Sequence, residues 1–152
     1  MYYLRVILTG VRIQASREFG TWFAHVRDEG GVRLARTSDL LGALRELPAK
    51  PDEESATFKR VRQARRYDIW RVAHPFDADV AVRILCWFPD GRPDTAVVAL
   101  VGGDKKVIQD LWYDSATPRA EAAIDQWIRR HTMLTNAEDD DDKDEETSND
   151  GQ

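Results

Sequence analysis

Cysteine, histidine and long apolar runs are all scarce in this sequence of 152 residues. The single cysteine, Cys86, excludes an intrachain disulfide framework and a zinc site built from several thiolates, and its apolar neighbours predict a core position. The three histidines, His25, His74 and His131, lack the spacing of a metal site, and we expect no cofactor. No stretch approaches the ~18 apolar residues of a membrane helix, and the N-terminus lacks the pattern of a secretory signal. We therefore expect a cytoplasmic protein that does not enter a membrane.

Charge divides the chain into two unlike regions. Residues 137–152 carry nine acidic side chains and one lysine, a net charge of −8, whereas residues 1–136 carry a net charge of +3. The acidic segment contains no aromatic or branched aliphatic side chain with which to form a core. We therefore predict one compact domain over residues 1–134 and a disordered acidic tail over residues 135–152. One hypothesis is that this tail folds back over the basic surface of the domain.

Apolar spacing predicts two helices in the first third of the chain. Ser16 can cap a helix that ends at Gly30-Gly31. Its apolar face would consist of Phe19, Trp22, Phe23 and Val26. A second amphipathic helix should follow Ser38 or Asp39 and stop at Pro48, after which residues 49–55 have the composition of a loop.

Strand signals dominate the middle of the chain. The β-favouring runs are Tyr2 to Leu8, Tyr67 to His74, Val80 to Phe88 and Thr95 to Val101. Pro89-Asp90-Gly91 separates the last two and predicts the turn of an antiparallel hairpin. Alternation along the strand Val80 to Phe88 puts Arg83, Leu85 and Trp87 on one face and a purely apolar set on the other.

A C-terminal helix completes the predicted domain. It is expected to begin at Thr117-Pro118 and to turn Ile124, Trp127 and Ile128 inward. The element order β-α-α, then three strands, then α predicts an α+β fold: a small antiparallel sheet with two N-terminal helices and one C-terminal helix.

The segment Phe58 to Arg71 has the composition of a nucleic-acid ligand. It holds six basic residues and one acidic residue, with aromatic residues interleaved. Cations of this density bind phosphate, and the rings can stack on bases. The basic side chains that we consider as RNA ligands are Lys59, Arg60, Arg62, Arg65 and Arg71. The alternative is a solvated edge strand on which Lys and Arg prevent pairing between sheets.

A second group of charged and aromatic residues follows the last predicted strand. Gly102-Gly103-Asp104 lacks the spacing of a P-loop or a dinucleotide-binding loop, so nucleotide-cofactor chemistry is not expected. The residues that could converge here into an anion pocket are Lys105, Lys106, Trp112, Tyr113 and Arg119. The alternative is a glycine turn with two solvated lysines.

Arg83 is the most unusual charged residue of the sequence. A guanidinium in the middle of an apolar strand is costly unless it meets an anion. That anion could be a ligand, or it could be Asp68 or Asp104.

These segments together resemble a family of bacterial toxins. The order Tyr67 to Arg71, then Val82 to Phe88, then a strand ending in Gly102-Gly103-Asp104-Lys105, then Trp112-Tyr113, is similar to the RelE/ParE superfamily. The nearest similarity is to its phage-derived, HigB-like branch, and it is specific over residues 67–131.

The resemblance implies a function and a set of site residues. It implies the toxin of a type II toxin-antitoxin system: an mRNA endonuclease that acts on the ribosome without a metal and is neutralised by a cognate antitoxin, often a helix-turn-helix protein. The 2′-hydroxyl of the RNA would attack the adjacent phosphate, giving a 2′,3′-cyclic phosphate and a 5′-hydroxyl. The matching catalytic positions are Arg83, Lys105, Lys106 and Tyr113. The expected RNA ligands are Lys59, Arg60, Arg62, Arg65, Arg71, Trp112 and Arg119.

Two other functions remain open at this point. A gyrase inhibitor of the ParE kind shares the fold without RNA-cleaving residues. A toxin fold can also serve as a non-catalytic module that binds RNA or protein. The cluster around Arg83 favours cleavage, because a purely protein-binding toxin does not need such a group of cations.

Overall fold

The computed structural model describes residues 10–74, 81–92, 95–104 and 109–146. Five strands and three helices lie within these ranges. The strands are β1 (Arg12–Ala15), β2 (Phe58–Arg60), β3 (Ile69–Ala73), β4 (Val82–Trp87) and β5 (Thr95–Asp104). The helices are α1 (Arg17–Glu29), α2 (Gly31–Arg45) and α3 (Gln109–Glu146). The predicted strand Tyr2 to Leu8 lies outside the described residues, and none of the described helices is long and apolar enough to cross a bilayer.

The strands form one sheet in the order β1-β5-β4-β3-β2. The four strands from β5 to β2 are antiparallel, and β1 pairs in parallel with β5 at the edge. This confirms the predicted α+β fold of an antiparallel sheet with two N-terminal helices and one C-terminal helix. Sequence analysis did not predict β1 or β2, because such short, polar strands are stabilised by their neighbours rather than by their own pattern.

Helices cover both faces of the sheet and create two separate cores. One core joins α1 and α2 to the face of β4 that carries Val82, Ile84, Cys86 and Phe88. The other core joins α3 to the face that carries Leu85 and Trp87. The predicted alternation along β4 is therefore confirmed. Cys86 is a core residue as predicted, and its burial raises the pKa of the thiol.

The predicted start and end of the first helix are confirmed. The Ser16 hydroxyl accepts a hydrogen bond from the Phe19 N–H at 3.1 Å and donates one to the carbonyl of Leu100 in β5 at 2.9 Å. Gly30 ends the helix with φ of 66°, a left-handed conformation that favours glycine. One serine thus caps α1 and ties it to the central part of the sheet.

The predicted start of the second helix is wrong, because α2 begins at Gly31 rather than after Ser38 or Asp39. Thr37 is buried and its hydroxyl donates to the Arg33 carbonyl at 2.8 Å, as in a helix interior. Thr37 therefore extends the buried stripe of Leu40 and Leu44 by another turn. Packing of that turn against the sheet overrides the local capping signal.

The predicted start of the last helix is also wrong, because α3 begins at Gln109 and Pro118 lies inside it. Proline cannot donate a backbone hydrogen bond, yet the helix passes through it. The reason is a buried stripe on both sides of the proline: Tyr113, Ala116, Ala120 and Ile124. As predicted, Ile124 is buried, and Trp127 and Ile128 pack against the same core. No glycine or proline follows Pro118 as far as Glu146, and α3 continues through residues 135–146, which sequence analysis assigned to the tail.

Strands β4 and β5 form the predicted hairpin, with Gly91 in the turn at φ of 75°. The Gly102-Gly103 pair is not a turn, because it lies inside β5. A Cβ atom at Gly102 would lie 2.4 Å from the Trp22 ring of α1, and one at Gly103 would lie 2.8 Å from Nε1 of Trp112 in α3. The two glycines thus let one indole approach each face of the sheet.

A polar network fastens the connection between β2 and β3 to α3. Asp125 accepts two hydrogen bonds from one Arg66 nitrogen, at 2.7 and 2.9 Å, and a further one from the hydroxyl of Tyr67. The Arg66 backbone N–H donates to Glu121 at 3.2 Å. These hydrogen bonds lower the pKa of Asp125 and raise the pKa of Tyr67.

We predict opposite effects of alanine at two glycines. Gly102→Ala should lower the free energy of unfolding by about 1–3 kcal/mol, because its Cβ would overlap a ring held between α1 and β5. Gly42→Ala is the matched control, since a Cβ there meets nothing within 4 Å, and it should raise the free energy of unfolding by about 0.4–1 kcal/mol. Urea unfolding measures both changes. A Gly102→Ala variant as stable as the wild type would contradict the close approach of the Trp22 ring.

We also predict a pH dependence of stability that originates in the Asp125 network. Because the pKa of Asp125 in the folded protein lies below its ordinary 3.8, its contribution is complete above that pH and is lost as the pH falls further. Because the pKa of Tyr67 lies above its ordinary 10.0, its contribution is complete below that pH and is lost as the pH rises further. Asp125→Asn should flatten both limbs of the stability profile, whereas Asp114→Asn, at an exposed position of the same helix, should keep them. Equal profiles for the two variants would refute this assignment.

Candidate functional site

A basic pocket of about 300 Å³ lies beside the edge of the sheet formed by β2 and β3. Its lining residues are Lys59, Arg60, Val61, Arg62, Gln63, Arg71 and Tyr113. Four of them are cationic and none is acidic. The pocket thus joins the basic segment predicted from the sequence to the tyrosine on α3, which lies more than forty residues further along the chain.

Strand register places two of the lining cations, and Arg83 beside them, on the α3 side of the sheet. Lys59 on β2 lies opposite Arg71 on β3, and Arg71 lies opposite Leu85 of the α3-side core. Arg83 lies two residues before Leu85 on β4 and therefore points to the same side. Arg83 and Arg71 are diagonal neighbours, a spacing of roughly 7–8 Å that long side chains can bridge.

Arg71 and Arg83 each keep an unused donor inside the protein. The Nε atom of each is buried and has no hydrogen-bond partner within the described part of the chain. The only bond found there for the Arg83 side chain is from Nη1 to the Val82 carbonyl at 3.2 Å. A buried guanidinium donor without an acceptor is unfavourable, so both arginines carry an uncompensated polar group in this part of the sheet.

Asp68, one of the two internal anions that could neutralise Arg83, does not pair with it in the structure. Asp68 instead pairs with Lys50 at 3.0 Å and with Arg60 at 3.4 Å. The expectation that Asp68 neutralises Arg83 is therefore wrong: Asp68 follows the β2–β3 connection, at the opposite end of β3 from Ala73, the residue that faces Arg83. The side chain of Asp104 lies outside the described residues.

Tyr113 lines the basic pocket with a packed ring and a buried hydroxyl oxygen. The residue is 8% exposed, and its ring lies edge-on to Trp112 with 5.0 Å between the centroids. Trp112 in turn covers Gly103, which lies opposite Arg83 in the sheet. Because its ring is packed, Tyr113 offers no stacking surface to a base.

The remaining predicted RNA ligands are divided between the pocket and other surfaces. Arg62 lines the pocket and is exposed, and Arg65 is exposed in the same connection. Arg60 contributes to the lining, although its guanidinium lies over the Trp70 ring at 5.0 Å and pairs with Asp68. Lys105 and Lys106 lie outside the described residues.

Arg119 does not join the basic pocket, which corrects the expected convergence. It pairs with Glu18 of α1 and lines a different pocket with Ser16 and Gln126. The physical reason is the position of the helix start: α3 begins ten residues before Arg119, so this side chain lies in the third turn and not at the N-terminus.

Residues 137–146 of the acidic segment belong to the C-terminal end of α3. Glu138 follows Tyr113 by 25 residues along the chain. That the tail folds back over the basic surface stays a prediction.

Among the described residues, no group of three or more His, Cys, Asp or Glu side chains is arranged to hold a metal ion. The ionisable residues that line the basic pocket are four cations and one phenol, groups that can bind an anion and stabilise added negative charge.

Comparison with protein-family models, curated proteins and solved structures finds no match to this chain. The similarity to the RelE/ParE superfamily thus remains a prediction from the sequence motifs. The function has to be inferred from the residues that the fold brings together.

Proposed function

We propose that this protein is a toxin of the RelE/ParE type that cleaves mRNA. The observation that carries the proposal is the pair of diagonal arginines, Arg71 and Arg83, whose buried Nε donors lack an acceptor beside a pocket of further cations. A phosphodiester is the anion that such a pair fits, because two guanidinium groups can donate to its two non-bridging oxygens.

The proposed reaction is an internal transesterification of RNA. The 2′-oxygen bonds to the adjacent phosphorus, and the bond from phosphorus to O5′ breaks. The 2′-hydroxyl loses its proton to a base and O5′ gains a proton. The products are a 2′,3′-cyclic phosphate and a 5′-hydroxyl, with no change of oxidation state.

Each residue of the proposed site has a role suited to its chemistry. Arg83 and Arg71 stabilise the negative charge that grows on the phosphorane, which is a task for fixed donors. Tyr113, the one phenol among the residues that line the pocket, supplies the proton to O5′. Lys59 and Arg62 bind flanking phosphates. We assign the base to Lys105 or Lys106, as the resemblance implies.

The biological setting follows from the same proposal. A toxin of this type acts in the bacterial cytoplasm on mRNA engaged with the ribosome, and a cognate antitoxin holds it inactive. The helix-turn-helix class of antitoxin is the partner that the resemblance implies.

The test compares variants in which a single cation is replaced. We predict that Arg83→Gln and Arg71→Gln each lower the rate of RNA cleavage by about 10²–10³-fold, because each removes a donor to the transition state. Arg45→Gln, at an exposed position at the end of α2, is the matched control and should cleave like the wild type. Mapping of new 5′-hydroxyl ends after induced expression, together with growth, gives the readout, and circular dichroism verifies folding.

Three outcomes would contradict the proposal in different ways. Full cleavage by both arginine variants would refute the assignment of Arg71 and Arg83 to the catalytic site. Growth arrest by the wild type without new RNA ends would favour a gyrase inhibitor, which a supercoiling assay detects. RNA binding without cleavage or arrest would favour a non-catalytic module.

A further inference from the structure

A second pocket, of about 400 Å³, lies further along α3 and has a different chemical character. Its lining residues are Trp87, Pro89, Asp90, Arg92, Trp127, Ile128, His131 and Thr132. The lining includes two indoles and an imidazole, and the exposed Asp90, Arg92 and Thr132 add one acid, one cation and one hydroxyl. Sequence analysis assigned Trp127 to the core and gave no function to this group.

The rings of this aromatic pocket are held in place by defined contacts. Trp127 meets Trp87 edge-on, with 5.5 Å between the centroids, and its Nε1 donates to the side chain of Gln14 at 2.8 Å. The His131 ring stacks on Trp127 with 3.7 Å between the centroids, and its Nδ1 lies 2.9 Å from the Trp127 carbonyl. Because these side chains are already ordered, a ligand that stacks on them has little ordering entropy to offset.

The composition of the aromatic pocket fits a nucleobase that carries its phosphate. Any planar base gains stacking energy from the aromatic side chains, so this contact does not depend on which base is bound. Arg92 at the rim can bind the attached phosphate, and the Asp90 carboxylate can accept a hydrogen bond from an exocyclic amine.

The position of the aromatic pocket matches an RNA strand that also occupies the basic pocket. Tyr113 lines the basic pocket and Trp127 lines the aromatic pocket, 14 residues further along α3, which is about 21 Å of helix. At the ~3.4 Å spacing of stacked nucleotides this distance corresponds to roughly six of them. Both pockets lie on the α3 side of the sheet, and the exposed Arg65 lies in the connection that is fastened to α3 between them.

We propose that the aromatic pocket is a nucleobase subsite that binds the RNA several nucleotides away from the cleaved bond. This inference rests on the proposed function, because the same strand must place a phosphate in the basic pocket. The subsite makes the affinity depend on the length of the RNA. An RNA long enough to reach the aromatic pocket binds more tightly than a short one.

The test uses 2′-O-methyl RNA, which binds without being cleaved. A 4-mer can fill only the basic pocket, whereas a 12-mer can reach both. Thr132→Trp should fill the aromatic pocket from an exposed position and weaken 12-mer binding by about 5- to 100-fold, the loss expected for one stacked base, with no effect on the 4-mer. Gln126→Trp, at an exposed position of the same helix outside the aromatic pocket, is the matched control and should bind both as the wild type does. His131→Ala should also weaken binding of the 12-mer.

The outcomes separate this inference from the proposed function. Equal 12-mer affinity of the wild type and Thr132→Trp, or equal wild-type affinity for a 12-mer and an abasic 12-mer, would overturn the base subsite and leave the basic pocket standing. Failure of the wild type to bind the 4-mer, with 12-mer binding that Arg83→Gln does not weaken, would overturn the proposed phosphate site. Failure to bind either RNA would overturn both.

Discussion

The close approach of two indole rings to two adjacent glycines is the contact on which the site depends. Trp22 lies against Gly102 on one face of β5, and Trp112 lies against Gly103 on the other. These contacts set the distance from the sheet to α1 and to α3 at the same point of the strand. Since Tyr113 directly follows Trp112, the packing of one indole also positions the tyrosine that lines the basic pocket.

Arg71 and Arg83 differ in charge pairing from four other arginines of the domain. Those four have acidic partners: Arg33 with Glu29, Arg60 with Asp68, Arg66 with Asp125, and Arg119 with Glu18. No ion pair is found for Arg71 or Arg83 within the described residues. Like charges held together in this way attract an anion, and the low dielectric constant of the partly buried site strengthens the attraction.

The helix α3 connects the chemical features of the molecule. One end brings Tyr113 to the basic pocket, the middle receives Arg66 and Tyr67 through Asp125, and Trp127 contributes to the aromatic pocket. A single helix therefore sets the separation between the basic pocket and the aromatic pocket. Under the proposed function, a strand of RNA would have to span that separation.

The sequence by itself determined the elements whose signals are local. The Ser16 cap, the glycine that ends α1, the hairpin turn at Gly91 and the alternation along β4 were all predicted, because each depends on residues close together in the chain. The basic segment and the unusual Arg83 were also evident from residue type and spacing. These features predicted the α+β fold and the candidate site residues. They did not predict how those residues are arranged in space.

Only the tertiary structure decided where helices start and which candidates meet. The caps expected at Ser38 and Thr117 were overridden because the preceding turns bury their own side chains against the sheet. The same early start of α3 moved Arg119 away from the pocket. The register of β2, β3 and β4 aligned Lys59, Arg71 and Arg83, a juxtaposition set by cross-strand pairing between residues distant in sequence. Local patterns cannot encode such contacts, because burial and strand pairing depend on the whole fold.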